Sequence, residues 1–325
     1  MDTLENSAPR VSVIVVTHNS DAFIARCLAS IQHALSEVPH EIVIVDNASV
    51  DDTIAIVHEV AANAAIIRNS ENVGFAQACN QAARLAKARY WFFLNPDTWA
   101  QDHGFGEMLV YAAKNSAAIV GPRLTDPDGT VHKSWDQRNS VCSVLADVLS
   151  LAFFLRALRR RPAMQPNCPI NVRFLVGAAL LIDSKRFRGE ALFDERFFFT
   201  GEERDLCLRT ANNGGRVVYY PHYTITHIGG GGDGHSCFHI SQWINSMKTF
   251  SVKHGGRGCG LAVRAAFFFY ILDYMIAFYV KSIFKRDRMA LRNYMLFLRY
   301  RQLLRWYWGL IKYDELLYSC AKMKE

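Results

Sequence analysis

Short apolar runs alternate with helical patterns over the first hundred residues. Val11 to Val16 is a β-branched run that stops at Thr17-His18-Asn19-Ser20. Helically spaced apolar positions follow from about Asp21 to Ala34, with Ser20 or Asp21 placed to cap them. Glu41 to Val45 is a second strand, ended by Asp46-Asn47-Ala48-Ser49, and a helix is predicted from about Asp52 to Ala62. Ala65 to Arg68 reads as a short third strand. Asn72-Val73-Gly74-Phe75 is a turn into an Ala-rich helix, about Ala76 to Ala88. The fourth strand, Tyr90 to Leu94, ends in Asn95-Pro96-Asp97-Thr98, where Pro96 cannot donate to a sheet ladder.

The pattern continues with a helix at about Gly106 to Asn115, a short strand at Ala118 to Val120 and a turn at Asp126 to Gly129. Cys142 to Leu158 is apolar and reads as helical, and it runs into Arg156, Arg159, Arg160 and Arg161. Arg173 to Asp183 reads as one buried strand, with Gly177 allowing a close backbone approach. Gly201-Glu202-Glu203-Arg204-Asp205 opens a helix that runs to about Asn212. A strand follows at Arg216 to Tyr220, and Thr226-His227-Ile228 precedes the glycine run Gly229 to Gly232. Continuous apolar strands alternating with helices argue for a parallel α/β sheet covered on both faces. The loops after the first, second and fourth strands then share one edge. Thr17, Asp46, Asn47 and Asp97 converge there, where open α/β sheets bind ligands.

Composition changes the picture at the C-terminal end. Residues 257–325 hold 13 Lys/Arg against 5 Asp/Glu, a larger surplus than the whole chain's net +7. Ala265 to Val280 is apolar apart from Asp273, which is shorter than the roughly 20 residues a bilayer span needs. A second helical pattern, Met289 to Lys312, mixes Arg and Lys with Phe, Tyr and Trp. Both read as helices lying on a membrane surface, or else as a helical cap. A nucleic-acid arm would be more polar. The predicted organisation is a flexible N-terminus (1–9), a catalytic domain (10–256) and a basic aromatic tail (257–325). The eight cysteines include no Cys-x-x-Cys pair, and the polar N-terminus lacks a signal-peptide core. The expected home is the cytoplasm.

No Gly-x-Gly-x-x-Gly follows the first strand, and no Gly-x-x-x-x-Gly-Lys-Ser/Thr occurs. This argues against a nicotinamide dehydrogenase and a P-loop phosphohydrolase. Asp46 could accept from a pyrimidine N–H. Asp97 could ligate Mg²⁺ or Mn²⁺ together with phosphate oxygens, or simply cap a turn. Glu202 and Glu203 stand at a helix start, where an ionised carboxylate is favoured and suits a general base. His227 could complete a metal site opposite Asp97, because imidazole is compatible with Mn²⁺. His235, Cys237 and His239 match no standard zinc spacing.

The order of these pieces resembles family 2 glycosyltransferases of GT-A fold. The resemblance rests on Val11 to Ser20, Val45-Asp-Asn-Ala-Ser49, Asn72-Val-Gly-Phe-Ala76 with Asn80, and Phe93-Leu-Asn-Pro-Asp97. Gly201-Glu-Glu-Arg-Asp-Leu206 is similar to that family's Glu-Asp-x-Asp-Leu motif, and Thr226-His-Ile-Gly-Gly-Gly231 to its His-x-Gly-Gly-Gly segment. The rhamnosyltransferase-like branch is the most similar. The resemblance implies a nucleotide site lined by Thr17, Asn19, Asp46, Asn72, Gly74 and Asn95, and a metal held by Asp97 and His227. Asn95 stands where the family's metal motif has its first Asp. Glu203 stands at the family's base position, with Glu202 as the alternative. The implied reaction is inverting, metal-dependent transfer from a dTDP- or UDP-sugar to a lipid-linked or polysaccharide acceptor at the inner face of the plasma membrane. Competing readings are a nucleotidyltransferase and a nucleotide-sugar binder without turnover.

Overall fold

The computed structural model describes residues 9–101, 104–150, 166–187, 191–229, 236–284 and 288–321. The N-terminal eight residues, Arg156, Arg159, Arg160, Arg161, Gly230 to Gly232, His235, Lys285 and Arg286 lie outside them.

In chain order the elements are β1 (Val11–Thr17), α1 (Asp21–Ala34), β2 (His40–Asn47), α2 (Thr53–Val60), β3 (Ala65–Asn69), α3 (Phe75–Leu85), β4 (Tyr90–Leu94), β5 (Thr98–Ala100) and α4 (Phe105–Lys114). Then come β6 (Ala117–Thr125), β7 (Trp135–Asp136), α5 (Val141–Ser150), β8 (Ile170–Asn171), β9 (Phe174–Leu175), β10 (Ala179–Asp183), α6 (Glu202–Asn212) and β11 (Arg216–His227). The last three helices are α7 (Cys237–Phe284), α8 (Arg288–Tyr307) and α9 (Tyr313–Ala321). The chain forms two compact units. One is Met1–Asn139 with Ala163–Gly231, and the other is Ser140–Pro162 with Gly232–Glu325. The sequence-based boundary at residue 256 instead falls inside α7.

The first unit is built on a sheet ordered β3-β2-β1-β4-β10-β6-β11-β5. β1 pairs in parallel with both β2 and β4, and every β1 residue is buried. Successive side chains on a strand point to opposite faces, so β1 serves two cores. Val13 and Val15 pack with Ile24, Leu28, Phe92 and Phe105 on one face. Ile14 and Val16 pack with Cys79, Phe93, Phe193 and Leu206 on the other. The sheet is therefore covered on both faces, as the apolar runs predict. It is mixed rather than wholly parallel, because β10 runs antiparallel to β4 and β6, and β5 antiparallel to β11.

Residues 173–183 are not the single strand expected. They divide into β9 and β10 around Gly177. Val176 N–H donates to Ser134 O, and Ala178 O accepts from Asn95 N–H. The first continues the β9–β7 pairing and the second the β10–β4 ladder, so the two halves of the segment pair with different strands.

The second unit contains α5 and α7 to α9. Gly256, with φ 79° and ψ 179°, interrupts α7 and divides it into two helical segments. A disulfide joins Cys237 to Cys320, 83 residues apart.

Candidate active site

The loops after β1 and β2 are tied together by polar side chains. Thr17 Oγ1 donates to Asp46 Oδ1 at 3.1 Å, and Ser49 N–H donates to Asp46 Oδ2. Asn19 Oδ1 accepts from Val50 N–H at 2.9 Å, while its own N–H donates to Ser49 Oγ. Asn19 (φ 50°) and Ala48 (φ 59°) are both left-handed, a conformation most side chains avoid. Thr17 and Asp46 are fully buried. In this structure they brace the loops, whereas Asn19 is exposed at the edge.

Asn72 Oδ1 accepts from Gly74 N–H at 3.0 Å, and Asn47 Nδ2 donates to Gly74 O at 3.3 Å. Gly74 has φ +87°, and a Cβ there would stand 2.7 Å from Phe198 O. Phe75 N–H also donates to Phe198 O at 2.7 Å. Only glycine lets the Asn72 turn approach the aromatic loop this closely. That loop leads directly into α6.

β5 and β11 build the centre of the site. Their antiparallel register places His227 opposite Thr98, and Ile228 N–H donates to Asp97 O at 3.1 Å. Asp97 Oδ1 and His227 Nε2 therefore lie 3.4 Å apart. Asn95 Nδ2 is within 3.5 Å of the same His227 nitrogen. Thr98 closes the intervening turn by donating its hydroxyl to Asn95 O at 2.7 Å. Behind the turn, burial pushes the Cys27 thiol up to about 12, so it stays a neutral packing group. Among the described residues, no three His, Cys, Asp or Glu side chains gather to hold a metal. Asp97 and His227 could supply two of the roughly six ligands a hard cation takes. That suits a hard cation whose remaining ligands are phosphate and water.

Glu202 and Glu203 occupy the first turn of α6, after Thr200 (φ 64°) and Gly201 (φ 89°). A left-handed β-branched threonine is strained, and it aims the Gly201 N–H at Glu203 Oε2, which accepts at 2.8 Å. A Cβ on Gly177 would meet Glu203 Cβ at 3.3 Å, so the split strand makes room for this side chain. Glu202 is buried, and its Oε2 has no hydrogen-bond partner. Burial, and then the Glu203 charge, hold the Glu202 carboxyl well above the usual carboxylate range. Burial raises Glu203 as well, but backbone N–H groups and Arg204 oppose that shift. Both carboxyls are thus raised, and Glu203 alone of the two accepts the Gly201 N–H.

Two features were not singled out from the sequence. His132 Nε2 pairs with Asp126 Oδ1 across the turn after β6. His132 and His227 both lie within 4 Å of where a Gly229 Cβ would stand. His18 Nδ1 lies 2.7 Å from Asn47 O and adds another link between the β1 and β2 loops. The Asp-Pro-Asp-Gly turn was legible, but the approach of His132 to Gly229 was not.

Residues 12–187 match the glycosyl transferase family 2. A Mycobacterium tuberculosis N-acetylglucosaminyl-diphospho-decaprenol L-rhamnosyltransferase is 28% identical over 234 residues, covering 66% of this chain and 75% of that one. The solved structure of a Pyrobaculum calidifontis mannosyltransferase, in complex with GDP-Man and Mn²⁺, aligns with TM-score 0.54 at 15% identity. It covers 97% of this chain and 86% of its own. The S. aureus TarS 1-349 structure in complex with UDP aligns with TM-score 0.50 at 14% identity, covering 97% and 88%. At these identities the structural likeness concerns the fold, a GT-A sheet with helices on both faces.

Proposed function

This chain belongs to glycosyl transferase family 2, and we propose that it is an inverting, metal-assisted transferase of rhamnosyl type. The observation that carries the proposal is the Asp97–His227 pair, 3.4 Å apart at the strand edge though 130 residues apart in sequence. The donor is a nucleotide-diphosphate sugar. Its nucleotide lies along the loops braced by Thr17, Asn19, Asp46, Asn72 and Gly74, beside Asn95.

Asp97 and His227 would hold Mg²⁺ or Mn²⁺, which supplies charge neutralisation for a diphosphate. Glu203 accepts the proton of the acceptor hydroxyl as that oxygen attacks the anomeric carbon and the nucleoside diphosphate leaves. Glu202 keeps its proton and holds no charge against Glu203. Attack from the face opposite the leaving group inverts the configuration. The 28% identity to a lipid-acceptor rhamnosyltransferase supports a lipid-linked acceptor. The exposed apolar side chains of α7 and α8 support a position on the inner face of a membrane. By length and composition α7 is also apolar enough to cross a bilayer, but 44% of its apolar window is buried.

The test begins with a thermal-shift screen of dTDP-, UDP- and GDP-sugars, with and without Mn²⁺. A bound donor stabilises the folded state by mass action. Glu203→Gln should cut transfer by about 10²- to 10⁴-fold and Asp97→Ala should abolish it, both melting like wild type. Full activity in both would overturn the assignment. Donor binding without turnover in the wild type would favour a sugar-binding protein instead.

A further inference from the structure

The second unit carries a cavity of its own, of about 280 Å³. Two cations line it, Lys248 and Arg264, together with Trp306, Tyr307 and Trp308. The Gly256 break lies between the two cations and brings side chains from both segments of α7 to one cavity. No carboxylate lines it, and neither cation forms an ion pair among the described residues. Arg264 is fixed instead by aromatic contact. Its guanidinium lies 5.5 Å from the Tyr307 ring centroid, and the Tyr307 hydroxyl donates to the Arg264 carbonyl.

The surroundings of the cavity are apolar and open. Trp308 in the lining is 60% exposed, and Leu310, next to the lining Gly309, is 70% exposed. Trp308 packs edge-on against Phe268 at 5.6 Å, so its ring is held in place despite its exposure. Exposed cations beside an apolar, tryptophan-bearing rim suit a ligand that is anionic at one end and hydrocarbon at the other. Free phosphate would use the cations and leave the rim in water. A neutral lipid would use the rim and leave the cations unpaired.

We propose that this cavity binds the phosphate headgroup of an anionic lipid, with Lys248 and Arg264 on the phosphate and the Trp308 and Leu310 rim against the acyl region. The inference deepens the membrane reading above and rests on it. A basic residue near an anionic membrane surface contributes roughly fivefold to binding, so removing two should cost about 30-fold.

The experiment uses the full chain and sedimentation with vesicles of phosphatidylcholine alone or phosphatidylcholine with phosphatidylglycerol. Wild type should partition to the anionic vesicles. Lys248→Gln with Arg264→Gln should lose about 30-fold in partitioning, with an unchanged melting temperature. The control pair Arg292→Gln with Arg301→Gln removes the same charge from exposed α8 positions outside the cavity and should lose far less. If wild type binds no vesicle, the membrane reading itself fails. If wild type binds but both double variants lose equally, binding is diffuse and the headgroup site is overturned. A thermal shift with millimolar glycerol phosphate, abolished by the Lys248/Arg264 variant and unmatched by vesicles, would assign the cavity to a soluble anion and overturn the lipid.

Discussion

Gly177→Ala isolates the geometry around the proposed base. The added Cβ would lie 3.3 Å from Glu203 Cβ and 3.4 Å from its Cγ. Carbon atoms pack best at about 3.5–4.0 Å, so the overlap is a few tenths of an ångström. Gly177 is not left-handed, so alanine meets no backbone penalty there. Alanine also removes unfolded-state entropy worth about 0.4–1 kcal/mol, which offsets part of the contact. Net stability should therefore move by less than about 1 kcal/mol. Activity is far more sensitive. A misplacement of about 1 Å can cost about 100-fold, so a few tenths should lower kcat by roughly 3- to 10-fold. The assay is steady-state transfer with the donor found by the screen, alongside a melting curve. In a Glu203→Gln background the same change should have no further effect on residual turnover, because the two act through one carboxylate. Wild-type kcat in Gly177→Ala, or fully additive losses in the double variant, would refute Glu203 as the group that this glycine accommodates.

Glu202→Gln should keep activity and change the pH dependence of stability. A carboxyl raised in the folded state contributes stability that is fully present below its unfolded pKa and is lost as pH rises through the folded one. Glutamine does not titrate, so the variant should gain on wild type with rising pH, by at most about 1.4 kcal/mol per pH unit. Melting curves of both proteins between acid and mildly alkaline pH check this, and a constant difference would show that Glu202 is not the proton holder. Gly74→Ala combines a left-handed backbone with a Cβ 2.7 Å from Phe198 O, and should cost about 2–4 kcal/mol. Its melting temperature should fall and donor affinity with it. His227→Ala should abolish any Mn²⁺-dependent gain in donor binding and spare metal-free binding. An unchanged Mn²⁺ effect in calorimetry would remove His227 from the site.

Local chemistry made much of the first unit legible. β1, β2 and β4 are apolar runs that end in polar residues, and α1 begins and ends where its pattern does, at Asp21 and Ala34. Strand and helix signals of this kind are properties of neighbouring residues. So is the stop imposed by Pro96, which put Asp97 at the strand edge. The boundary at residue 256 marked a real change in composition. It could not reveal that residues 140–162 join the second unit, because that depends on contacts distant in sequence.

Tertiary structure decided the rest, and the reasons are specific. Asp97 meets His227 only because β5 pairs with the far end of β11. Residues 173–183 break because β9 pairs with β7 whereas β10 pairs with β4 and β6. Between two adjacent glutamates, the sequence left the base open. Burial raises both carboxyls, and they differ in their partners: Glu203 takes the Gly201 N–H beside Gly177, while Glu202 Oε2 has none. The sequence by itself determined which residue types stand at the strand ends. Pairing and burial set which of them meet, because both depend on neighbours that the chain supplies from far away.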